Sequence, residues 1–269
     1  MNQTKLYMLT ETSEFMMSFV IKTAEGNAVV VDGGRPEDFP LLREIVGESP
    51  VVAWFLTHPH MDHISGFTDM VSKENDPLLP HKVYCNFHSL EIAELEDPVD
   101  AYALRDFLKI EPKIADRIVK VKEGDHFKID ELSITILQTY EPDNPIINGS
   151  LTANENSTVF KVEGPNKSVL FLGDTGPMGG DRLFRRHWQD LKCDFVQMAH
   201  HGHSGVGAEV YLAASPEACL WCCRDWLYNE PPTCFGERDW GTVMTRNWME
   251  WMGVKTHYVT KDGTCELVI

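Results

Sequence analysis

The stretch that most constrains this chain is Thr57-His58-Pro59-His60-Met61-Asp62-His63, which crowds three histidines and a carboxylate behind the apolar run Val51-Val52-Ala53-Trp54-Phe55-Leu56. A continuous β-prone run of this kind suits a strand covered on both faces. The ligand-rich segment therefore sits at the C-terminal end of an interior strand. Pro59 biases its surroundings toward extended backbone, so His58 and His60, two positions apart, project to one side and can chelate one ion. Asp62 and His63 fall at the turn into residues 64–71, which read as a short helix, and a chain turning there aims them at a second position. A two-metal site is the natural inference. Surface histidines without a metal are the plain alternative, and the motif by itself does not exclude them.

The rest of the chain supplies the frame. Residues 5–9, 18–22 and 28–31 are short, β-prone and separated by polar turns, which predicts a meander. Asp32-Gly33-Gly34 breaks its third strand and reads as a structural turn. A helix is expected over 36–46, with Pro near its start. Helices flanking one strand at 82–87 are expected between residues 76 and 120. His81 and His88 fall in this section without a partner pattern and are not counted as ligands. Strands follow at 118–121, 132–137, 157–162 and 168–172, with a loop at 141–156 and a turn at Gly164-Pro165-Asn166. A helix over 181–191, a strand over 194–199 ending in His200-His201-Gly202-His203, a helix over 208–214 and a strand over 218–223 come next. The chain closes with a helical piece at 247–252 and a hairpin of 255–260 with 265–269 around Asp262-Gly263. Strand runs with helices in each half fit a layered α/β sandwich, and 269 residues suit one domain over 1–269.

Composition narrows the function classes. The formal charge of −17 disfavours long nucleic acid, which needs clustered Lys and Arg along its backbone. No window of about 18 apolar residues suits a membrane span, and the opening residues lack the layout of a secretory signal, so a cytoplasmic location is expected. Seven cysteines include one C-x-x-C match, Cys219-Leu220-Trp221-Cys222. Lying inside an expected strand with no companion pair, it reads as structural. Trp221, Trp226, Tyr228 and Trp240 gather with Arg224 and Arg238, and core packing is the favoured account of them. As cleft walls they would suit a small phosphoester or organic anion.

Four features now stand in order: Asp-Gly-Gly after an early strand, H-x-H-x-D-H after another, Phe171-Leu172-Gly173-Asp174-Thr175 closing a hairpin, and His200-His201-Gly202 after a later strand. Together they resemble the metallo-β-lactamase superfamily of metal-dependent hydrolases. The resemblance implies a four-layer αββα sandwich with a metal site at one edge, between the sheets. It implies that His58 and His60 serve a first divalent ion, Asp62 and His63 a second, and that Asp174 bridges both. The last ligand is expected from His200 or His201, with His200 slightly favoured. An N/O donor set suits zinc foremost, with manganese or iron possible. Asp62 is also a candidate to orient the nucleophile, and His203 or Ser204 to protonate a leaving group.

Many members carry a further histidine between the first motif and the bridging aspartate. Here residues 154–159 read Asn-Glu-Asn-Ser-Thr-Val, and no histidine stands between Asp130 and Asp174. In this the chain resembles the hydrolase domain of bacterial DNA-internalisation competence proteins. Waters, His201, Glu155 or Asn156 are the alternatives for completing the first ion's shell. The expectation is a binuclear hydrolase of a small phosphoester or related ester. A nuclease, an iron-dependent redox protein and a non-catalytic metal-binding module are the rivals.

Overall fold

The computed structural model describes residues 3–12, 14, 16–73, 76–96, 101–229 and 241–269. The first sheet takes β1 (Lys5–Met8), β2 (Ser18–Lys22), β3 (Ala28–Asp32), β4 (Val51–Phe55), β5 (Lys82–Cys85) and β6 (Ile118–Lys120) in spatial sequence. The second takes β7 (His126–Ile129), β8 (Leu132–Gln138), β9 (Val159–Glu163), β10 (Ser168–Phe171), β11 (Phe195–Gln197), β12 (Ala218–Trp221) and β13 (Thr256–Val259) in the same manner. The chain then crosses back, and β14 (Cys265–Val268) pairs antiparallel with β1. The expected closing hairpin is thus not formed. β13 lies parallel to β12 at the edge of one sheet and β14 at the edge of the other.

Helices α1 (Phe39–Val46), α2 (Met61–Ser72), α3 (Leu90–Glu96) and α4 (Ala101–Ile110) come from the first half of the chain, and α5 (Thr152–Glu155), α6 (Pro177–His187), α7 (Ala208–Ala214), α8 (Asp225–Tyr228) and α9 (Thr242–Trp251) from the second. Trp54, Val30 and Val83 on the outer face of the first sheet pack with Leu42, Phe67 and Phe107 of α1, α2 and α4. Leu170, Val196 and Cys219 on the outer face of the second pack with Leu183, Tyr211 and Met249 of α6, α7 and α9. The two inner faces meet through Phe19, Phe55, Phe160 and Phe171. This is the expected αββα sandwich, and it explains the unbroken apolar runs: β4 sends Ala53 and Phe55 inward and Trp54 outward, so both faces are covered. Cys219 and Cys222 face different layers, both are buried, and burial pushes the Cys219 thiol up to about 12, so the C-x-x-C pair is packing.

Strands β3 to β6 run parallel, as do β10 to β13, and their C-terminal ends meet at one edge. There the chain leaves the hydrogen-bonded ladder, and polar side chains are free to converge. Beneath that edge an aromatic ladder ties the sheets together. The Phe160 ring lies 5.0 Å from Phe55 and 5.0 Å from Phe171, which meets Phe19 at 5.1 Å. Phe160 is fully buried. Phe160→Ala is therefore expected to cost about 3–5 kcal/mol of unfolding free energy, read from chemical denaturation.

Candidate metal centre

The histidine motif begins where β4 ends. Thr57 and His58 continue the chain, His60 takes extended backbone at the N-cap of α2, and Asp62 and His63 occupy the first turn of that helix rather than a turn before it. Gly66 lets α2 settle onto the β3 exit, since a Cβ there would lie 2.9 Å from the Gly33 carbonyl oxygen. The Asp-Gly-Gly segment is more than a turn. Asp32 is fully buried, and its carboxylate accepts the Thr57 N–H (2.8 Å), the Thr57 hydroxyl (2.8 Å) and the His63 Nδ1–H (2.7 Å). That last bond leaves His63 Nε2 bare and directed into the site.

Asp174 follows β10. Its N–H donates to Ser157 Oγ at 3.3 Å, and its carboxylate is buried with Oδ1 unpartnered. After β11 the strand geometry stops, and His200 and His201 both adopt left-handed backbone, with φ of 51° and 56°. Neighbours that would diverge along a strand thus both turn toward Asp174. His201 Nδ1–H donates to the Cys222 carbonyl at 2.8 Å, which aims Nε2 at the carboxylates. Gly202 lets the loop close, because a Cβ there would lie 2.4 Å from the Trp221 ring.

One oxygen lies at the centre. Asp174 Oδ2 is 3.3 Å from His63 Nε2, 3.4 Å from His201 Nε2, 3.9 Å from His58 Nε2 and 4.0 Å from His200 Nε2. Asp62 Oδ2 is 3.0 Å from His201 Nε2 and 3.8 Å from His63 Nε2. Donors about 2.1 Å from a shared four-coordinate ion stand about 3.4 Å apart. Asp62, His63, Asp174 and His201 therefore fit one cation, and they form a mutually close ligand group. His60 lies on the other flank, its ring 4.6 Å from that of His58 and its Nε2 3.8 Å from Glu96 Oε1.

Charge is arranged accordingly. Burial works against the charged form of His63, but Asp174, Asp62 and Asp32 outweigh it and hold the imidazole well above its usual range. Burial likewise opposes charge on His201, yet Asp174 and Asp62 raise it to about 10. Burial disfavours the ionised forms of Asp62 and Asp174, but His63 and His201 hold both well below the usual carboxylate range. Burial keeps His58 well below its ordinary value and lowers His200 to about 4.

The profile of the metallo-beta-lactamase superfamily matches residues 16–206. The chain belongs to this superfamily. Solved structures agree at the level of fold. The metallo-beta-lactamase fold protein YhfI from Bacillus subtilis gives a TM-score of 0.57 at 11% identity, over 98% of this chain and 100% of that one. Zinc-bound PqqB from Methylobacterium extorquens gives 0.56 at 13%, over 96% and 90%. A diphosphatase from the PhnP family gives 0.52 at 11%, over 98% of both. No curated protein matches the sequence significantly. No helix among the described residues is long and apolar enough to cross a membrane.

Against the superfamily pattern, the segment lacking a histidine proves informative. Glu155 turns away from the site, where its carboxylate accepts Gly179 N–H (2.6 Å) at the start of α6 and the Asn148 amide (2.7 Å). Asn156 is occupied by backbone groups of Ile146 and Thr152. Asn154 is the residue of this segment that enters the cleft, its Nδ2 donating to His200 Nε2 at 3.2 Å. His203 is buried with its ring 4.1 Å from that of His200, whereas Ser204 is exposed. His88 is buried beside Tyr140, with Nε2 unpartnered, rather than solvated. Of the aromatic group, Trp221 is core and Trp226 exposed, and Arg224 lies 4.0 Å from Glu11. Trp240 and Arg238 lie outside the described residues.

Two predictions follow from the protonation pattern and the support of His63. The raised His63 and His201 hold protons at neutral pH, and a cation must displace them, so affinity rises with pH up to about 10. Titration calorimetry in buffers of different ionisation enthalpy is expected to read about two protons released per protein on loading at pH 7. Asp32→Ala, which frees the His63 ring, is expected to weaken cation affinity by about 10–100-fold in a chelator competition assay.

Proposed function

We propose that this protein is a binuclear metal-dependent hydrolase acting on a small phosphoester. The observation that carries this reading is the convergence of His58, His63, His200 and His201 within 4.0 Å of Asp174 Oδ2. In our assignment His58, His60 and His200 hold a first ion, Asp62, His63 and His201 a second, and Asp174 is shared. Bound there, two divalent ions, zinc foremost, would lower the pKa of a water between them and take up charge on the attacked group.

The chain's own groups do the positioning. Asp32 and the Cys222 carbonyl fix the Nδ1–H tautomers of His63 and His201, leaving both Nε2 atoms to bind. Asp62 Oδ2, within hydrogen-bond reach of His201 Nε2, is the carboxylate we assign to orienting the nucleophile. His203, stacked on His200, is the imidazole we assign to protonating the leaving group. A phosphoester is favoured over other esters because a fold neighbour is a diphosphatase, and a small one because the −17 charge repels long polyanions. The nuclease rival keeps one support, the resemblance of the segment around Asn154 to the competence-protein branch.

Asp174→Ala is expected to lose bound metal and to lower kcat/KM on a phosphodiester by more than about a hundredfold, since ligands matter more than the groups supporting them. Elemental analysis beside turnover on phosphodiester, phosphomonoester, thioester, lactone and single-stranded DNA panels checks this. Unchanged metal content in Asp174→Ala, with no metal-dependent turnover on any panel, would sink the reading. Stoichiometric iron with oxygen consumption would favour the redox rival.

A further inference from the structure

Glu96 is a carboxylate of the cleft that no superfamily motif claims. It closes α3 with its side chain 1% exposed, and Oε1 accepts the Ala153 N–H at 2.8 Å while standing 3.8 Å from His60 Nε2. Capping the first turn of α5 requires only a neutral acceptor, which a glutamine provides as well. A buried carboxylate is costlier than an amide unless a cation faces it. Among the described residues no lysine or arginine is ion-paired with Glu96; its recorded partner is His60.

Distance favours a shared ion. Two donors on one cation, each about 2.1 Å away, stand about 3.4 Å apart in a tetrahedral shell and at most about 4.2 Å apart. The 3.8 Å between His60 Nε2 and Glu96 Oε1 lies inside that limit. The carboxylate is also tied to Ala153, the residue before Asn154, and so to the segment in which many superfamily members carry their additional histidine. We propose that Glu96 supplies a carboxylate to the ion held by His58 and His60, in place of the absent histidine. This rests on the two-ion reading above and adds a ligand from α3. Such a carboxylate would make the first position harder and less histidine-rich, which suits manganese or iron better than an all-imidazole shell does.

The test compares wild type, Glu96→Gln and Glu96→Ala, stripped of metal and titrated with cobalt(II) by absorption spectroscopy and against a chromophoric chelator, with denaturation midpoints in parallel. Glu96→Gln keeps the acceptor for Ala153 and is expected to keep the wild-type midpoint. It should weaken one cobalt site by more than about tenfold and change that site's visible bands. Wild-type affinities and bands in Glu96→Gln would overturn the proposal, reducing Glu96 to a cap, even if Glu96→Ala loses stability. A wild type that takes up cobalt with Glu96→Gln indistinguishable from it removes Glu96 alone. A wild type that takes up none removes the metal reading and Glu96 together.

Discussion

A buried carboxylate oxygen with four imidazoles around it cannot stay uncompensated. Asp174 Oδ2 sits among His58, His63, His200 and His201 in a space from which water is largely excluded, and Asp62 adds a second negative charge at 3.0 Å from His201. Charge in such a place must be matched by protons or by cations. The protein can use protons, on His63 and His201, but the bare nitrogens of His58 and His63 show that protons alone leave donors unsatisfied. The same cluster is thus an acid–base couple when empty and a ligand set when loaded.

Holding it open is the task of groups that never enter it. Asp32 grips Thr57 and His63 from β3, the Cys222 carbonyl grips His201 from beyond β12, and Ser157 receives the Asp174 N–H from before β9. Each anchor comes from a strand end different from the one it steadies. The Trp54 indole donates to the Asp32 carbonyl, so the outer core of the first sheet is joined to the same chain of contacts. The site is stiff because both sheets are stiff, and the aromatic ladder under it transmits the spacing between them.

Much of this was legible in the sequence, and the failures have physical reasons. Val51–Phe55 declared an interior strand because both of its faces are covered, and the motif behind it declared donors because six residues cannot scatter. The choice between His200 and His201 was unreadable, since it turns on two left-handed residues that no composition rule demands. Asp32 hid inside Asp-Gly-Gly, where the glycines speak for a turn and mask a carboxylate aimed inward. Glu96 hid through distance, 36 positions from His60 and on a helix with no motif of its own. β7 went unread because His126–Ile129 is only half-buried and weakly patterned. The closing hairpin was misread because a turn at Asp262-Gly263 looks alike whether the chain folds back on itself or steps from one sheet to the other.

That step has a consequence for how the molecule is assembled. β1 is among the first strands to leave the ribosome, yet the neighbour on its open side, β14, is made only after every strand of the second sheet. The pairing of Lys5 with Val268 spans nearly the whole chain, a contact of the slowest kind to form. The two halves of the sandwich therefore cannot be finished in the order of synthesis. During translation the first sheet must wait with one edge unpaired, a state that invites strand exchange with other nascent chains.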